Sequence, residues 1–368
     1  RIASGYSGFT MTMKLGLDIG FMYNHLRPLL AGRPILTMKA YGMILDSIKN
    51  NNLVEIDKMM SSKEALLAKK LGLRLSAMNT AEEEQYLGAD YISKMPVLGR
   101  ISDALKRAGV NTMSFVRLIT FMEELRNNPN ATEKELKYIV ELINAVSGSE
   151  EGLHRMFRPS KKGELLLSGF LVTGPRFQAS RFTSPWRMIA GLLGRSNVKR
   201  QLPAKILLRF VGTRLLYLTL LNMAGFKVGT DLEDWTWGRV KIGNKWIDLW
   251  TGFPMAVRLM LLSGWSLAQK IPGVPKMKKK KYDIWLEVSR FLSGRKPPST
   301  STLLELSTGR DLFGQKVTTS QALKRSVSSL WIEDIVNIYK QEGPESAAFW
   351  LFPSFAGERI QTKSKKYY

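Results

Sequence analysis

The sequence predicts a mainly α-helical protein, with multi-helix domains and one small β-hairpin at about residues 238–249. Three observations predict it. Helix-start signals recur in the first 150 residues, and the third is followed by apolar residues at i, i+3, i+4 and i+7. The longest apolar run, residues 206–226, reads as a helix. One stretch, WGRVKIGNKWIDLW at 237–250, alternates with period two around Gly243-Asn244, a pair that tolerates the positive φ of tight hairpin turns.

The elements follow in chain order. Residues 1–50 are rich in Gly and Met, with RPLLAGRP (27–34) as a loop between helical stretches. Ser61 with Glu64, Thr80 with Glu83, and Thr132 with Glu135 have capping-box spacing, which lets a hydroxyl and a carboxylate satisfy orphan helix N–H groups reciprocally. After the third box, Leu136, Ile139, Val140 and Ile143 share one face. A helix over 113–126 is stopped by Asn127-Asn128-Pro129, and VSGSEEG (146–152) reads as a linker. The run at 206–226 carries Arg209 and Arg214, and its uncharged part, 215–226, is shorter than the roughly 20 residues of a spanning helix. It is expected to be a buried core helix; insertion in some assembled state is the other reading. Further on come a helix over 254–270, a short helix over 283–292, a loop SGRKPPSTST (293–302), and a capped helix from Ser320 to about Gln341. An aromatic segment with a basic tail follows. The domains expected are a helical region 1–150, a basic helical module with the hairpin over 151–320, and a C-terminal helix and tail over 321–368.

Charge narrows the function. The chain has 368 residues, 55 basic and 31 acidic side chains and a formal net charge of +24, which predicts a polyanionic partner: nucleic acid or an anionic membrane surface. Residues 51–150 are nearly neutral, whereas 152–229 hold 14 basic side chains and one acid, Glu164. At the centre of that segment, Arg176, Arg181 and Arg187 are interleaved with Phe177, Phe182 and Trp186, and Arg195, Lys199 and Arg200 follow. Arginine with aromatics grips phosphates and stacks bases, and equally makes interface hot spots; both readings stand. A second basic run holds Lys276, Lys278, Lys279, Lys280 and Lys281. Such runs are usually solvated faces, and beside an apolar helix they also suit anionic lipid or DNA.

Enzymatic chemistry finds little footing. With no cysteine, thiolate catalysis, iron–sulfur clusters and Cys-based zinc sites are excluded. His25 and His154 are far apart and have no neighbours at ligand spacing. GRDLFGQK (309–316) resembles a phosphate loop, but Gln315 separates Gly314 from Lys316 and Val317 replaces the hydroxyl residue. Asp231, Glu233 and Asp234 suit salt bridges or loop solvation better than Mg²⁺. The expectation is a non-enzyme with no cofactor and no metal. In the hairpin, Trp237, Gly243, Asn244, Trp246 and Asp248 are the signature positions. Together with Trp235 and Trp250, the two hairpin tryptophans are expected to clasp the hairpin onto the neighbouring helices, with Arg239, Lys241 and Lys245 projecting outward. The chain opens on Arg1, which suggests a processed product or part of a longer protein.

Three segments in series carry a resemblance. LSGFLVTGPRFQASRFTSP (167–185), the hairpin region LLYLTLLNMAGFKVGTDLEDWTWGRVKIGNKWIDLWTGFPMAVRLMLLSG (215–264) and FLSGRKPPSTSTLLELSTGRDLFGQKV (291–317) resemble, in order and spacing, the C-terminal module of bacteriophage large polyvalent proteins. Arg295-Lys296 and Thr251 depart from that pattern. The resemblance implies an internal virion protein that is packaged in the capsid lumen and ejected with the genome to the host envelope or cytoplasm. The partners implied are phage genomic DNA, bound nonspecifically, other copies of the chain, other virion proteins and the portal. No catalytic residue carries over. Two alternatives stand beside it. One is a membrane-active module of a trans-envelope conduit, in which residues 206–226 and 255–265 insert and the lysine run holds headgroups. The other is a cleaved accessory domain of a virion-borne enzyme.

Overall fold

The structure, a computed structural model, describes residues 26–49, 54–75, 98–148, 175–234, 236–243, 245–250, 298–310, 316–327 and 359–362. Isolated positions at 96, between 258 and 272, and between 335 and 347 are also described. The fold is mainly α with one small antiparallel sheet, as the sequence predicts. The helices are α1 (Pro34–Lys49), α2 (Val54–Met60), α3 (Lys63–Lys70), α4 (Leu98–Asn127), α5 (Glu133–Val146), α6 (Pro175–Leu192), α7 (Asn197–Met223), α8 (Pro298–Thr308) and α9 (Thr319–Val327).

The helical core is built around α4. Val116, Leu118 and Phe121 are fully buried there, against Leu36 and Ala40 of α1 and the apolar face of α5. All four expected residues of α5, Leu136, Ile139, Val140 and Ile143, lie in this core. Met188 of α6 and Leu202 and Ile206 of α7 join it, so the core draws on both sides of residue 150. The expected capping box at Thr132 is present in full: the hydroxyl accepts from the Glu135 N–H and the carboxylate accepts from the Thr132 N–H. The cap at 61–64 is shifted. Ser62 caps α3 by accepting from the Ala65 N–H, while the Ser61 hydroxyl donates to the Asp57 carbonyl. The Thr80 box lies outside the described residues, as do the helix over 283–292 and most of 254–270.

Two further elements correct the sequence reading. Helix α4 begins at Leu98 rather than Met113, because α1 packs along it and lends partners to a half whose own apolar periodicity is thin. Helix α8 begins at Pro298, inside the stretch read as a loop. A first-turn proline fits, since its missing N–H has no intrahelical partner to lose. For α9 the cap is Thr318, whose N–H and hydroxyl exchange hydrogen bonds with Gln321.

The sheet has four strands in the order β1 (Lys227–Val228), β2 (Arg239–Ile242), β3 (Lys245–Asp248) and β4 (Arg359–Thr362), all antiparallel. Pairing of Ile242 with Lys245 closes the two-residue turn, and Gly243 sits at φ +57°, where a β-carbon is disfavoured. Asn244 lies outside the described residues. Val240 and Ile247 face each other in register and pack on Ile338, Ala347 and Leu221.

Candidate interaction surface

Helix α6 carries the Arg/aromatic segment and lies on α5. The Tyr138 hydroxyl donates to the Arg187 carbonyl at 3.0 Å, and the Arg187 guanidinium is paired with Glu141 at 3.1 Å. Burial pushes the Tyr138 phenol above its ordinary value. The contact is close because residue 191 is glycine: a β-carbon there would overlap the Tyr138 hydroxyl and come within 2.7 Å of Pro203 Cγ. Ser196 precedes α7 and bonds Glu135 through its hydroxyl. That bond, followed by those from Thr132, holds the Glu135 carboxyl below its ordinary value. Lys199 sits over the Tyr138 ring at 5.8 Å.

The nine residues expected here therefore separate. Arg187 is spent on Glu141, and Lys199 is half-buried on Tyr138. Arg195 and Arg200 are exposed, and Arg200 also donates through Nε to the Gly194 carbonyl. Trp186 is 72% exposed and forms a line at i, i+3, i+7 with exposed Ile189 and Leu193. Arg176, Phe177, Arg181 and Phe182 belong to α6, but their side chains lie outside the described residues. The lysines of the run, Lys276, Lys278, Lys279, Lys280 and Lys281, lie outside them too.

Helix α7 overturns its expected role. It runs from Asn197 to Met223, and only 17% of its most apolar 18-residue window is buried. Its first half is anchored: Leu202 and Ile206 enter the helical core, and Lys205 pairs with Glu124 at 2.7 Å. In its second half Phe210 and Leu218 pack on Trp250, and Leu221 on the sheet. The other side is open, with Leu208, Leu215, Leu216, Leu220 and Met223 all exposed. By length and composition this helix could cross a membrane. The sequence showed an apolar run; it could not show that the sheet covers one side of it.

The hairpin is a clasp, but not a ribbon with outward cations. Trp250 meets Phe210 edge-on at 6.0 Å and stacks with Trp237 at 6.5 Å, so α7 is part of the expected floor. Arg239 and Lys245 are buried and Lys241 half-buried, which corrects the expectation that all three project outward. The reason is that β1 and β4 flank the hairpin, making β2 and β3 the central strands. Arg239 lies opposite Asp248 in register, an opposite-charge pair that suits burial. Asp248 also accepts from the Trp250 N–H, and Trp246 is buried. The acidic lead is a loop that caps itself: Asp231 accepts from the Glu233 N–H, and Asp234 accepts from the Thr236 N–H and hydroxyl. Arg258 donates to the Leu232 and Glu233 carbonyls.

No known family, curated protein or solved structure matches this chain. Among the described residues, no group of His, Asp and Glu side chains is placed to hold a metal. A water-sized crevice between residues 28–33, α4 and α7 is lined by ion pairs, Arg33 with Glu123 and Lys205 with Glu124. Two surfaces stand out among the described residues: a cationic corner where α6 meets α7, and an open apolar side on α7.

Proposed function

We propose that this chain is a non-enzymatic module of the phage internal virion type, packaged with the genome and lying against nucleic acid through the α6–α7 corner. The observation that carries this reading is charge without compensation along the chain. Residues 165–230 contain no acid, and Arg195 and Arg200 are exposed where α6 meets α7. Exposed Trp186 adds a face on which a base can stack. The resemblance of three segments in series to large polyvalent proteins supplies the virion setting.

Such contacts are electrostatic and indifferent to base sequence. Four phosphate contacts would weaken binding about a hundredfold between about 50 and 200 mM salt. Filter binding with an arbitrary duplex measures this. The double variant Arg195→Ala/Arg200→Ala is expected to flatten the salt dependence by about two contacts. Binding that ignores salt, or that this variant leaves unchanged, rejects the reading.

A further inference from the structure

We propose that the open side of α7 is a membrane-surface element, lying flat in the interface of an anionic bilayer rather than crossing it. The inference stands apart from the nucleic-acid reading, because it uses the other end of α7.

Helix geometry defines the element. At 100° per residue, Leu208, Gly212, Leu215, Leu216, Thr219, Leu220 and Met223 fall within an arc of about 140°. Phe210, Leu218 and Leu221, which pack on Trp250 and the sheet, lie on the opposite side. Both sides are therefore apolar, and the fold covers one. A single exposed leucine is ordinary; a continuous stripe about 24 Å long, from Leu208 to Met223, is not. Leu208 is 76% exposed and Met223 78%. On one flank of this arc Gly32 abuts Arg209 and Thr213.

Charge selects the occupant. No acid occurs between Glu164 and Asp231, and exposed cations stand at both ends of the stripe: Arg209, one residue past Leu208 and within the same arc, and Lys227, just past Met223. An apolar stripe rimmed by cations matches acyl chains beneath anionic headgroups. The flat orientation follows from the sheet. Phe210, Leu218 and Leu221 tie the second half of the helix to Trp250 and the sheet, so α7 cannot enter end-on without leaving them.

Flotation of the full chain with vesicles tests this. The chain is expected to float with vesicles containing phosphatidylglycerol and much less with phosphatidylcholine alone. Leu216→Asp/Leu220→Asp, both on exposed positions, should cut vesicle affinity about a hundredfold or more. Arg209→Glu/Lys227→Glu should remove only the preference for anionic lipid. Because the chain has no cysteine, Leu220→Cys accepts a single environment-sensitive dye, whose emission should shift to the blue on anionic vesicles. The same dye at Arg195→Cys should not shift. Equal flotation of the wild type and the leucine variant overturns the proposal. So does a dimer that the leucine variant dissociates, which would assign the stripe to a second copy, or a dye shift at position 220 on adding DNA. Wild-type DNA affinity in the leucine variant shows a folded chain and leaves the nucleic-acid reading intact whatever the vesicles do.

Discussion

Arg117 shows how much one side chain decides. It is buried in α4, and its guanidinium donates to Ser147 Oγ at 2.7 Å, the Arg74 carbonyl at 3.0 Å and the Ser147 carbonyl at 3.2 Å. It thereby closes the C-terminus of α5 and pins Arg74 to the bundle, while the Ser114 hydroxyl donates to the Leu75 carbonyl beside it. Arg117→Met keeps the bulk and strands these acceptors, so urea unfolding should show a loss of about 3 kcal/mol. Glu135 makes the pH-dependent counterpart. Ser196, then Thr132, hold its carboxyl below the ordinary value of 4.5. A depressed acid contributes stability above its unfolded-state value and loses it as pH falls through the folded one. The deficit of Glu135→Gln in melting temperature should therefore be largest near neutral pH and shrink on acidification. None of these partners could be read from sequence spacing except Thr132, because only the capping box is local.

At the scale of elements, local chemistry was legible and coverage was not. The hairpin was readable from period-two alternation and a Gly-Asn pair, and its register closes on that turn. Strands β1 and β4 were not, since two residues at 227–228 and four at 359–362 carry no signal until β2 and β3 offer edges to pair with. Helix α5 was readable in its start and its buried face because its cap and its stripe agree. Helix α7 was readable as a helix and misread as core, for an apolar run looks the same whether two sides are covered or one. Trp250 joins the two levels by resting on Phe210 and Trp237. Trp250→Ala should cost about 3–5 kcal/mol and remove the near-ultraviolet circular dichroism of the tryptophan pair.

At the scale of the molecule, the net charge and the absence of cysteine follow from the sequence alone, because composition needs no coordinates. A mainly α fold with a hairpin follows too, since helix periodicity, capping and turn chemistry act within a few residues. The sequence also placed the positive charge, in the segment without acids. Tertiary structure decided which of those cations are spent. Arg187 is held by Glu141 and Lys205 by Glu124, while Arg195 and Arg200 face solvent. It decided as well that Arg239 and Lys245 are buried and that Leu208, Leu215, Leu216 and Leu220 are not. The physical reason is common to all of these. Burial and pairing depend on what a distant part of the chain brings alongside, and here β4, α5 and the exit from the hairpin come from more than a helix turn away.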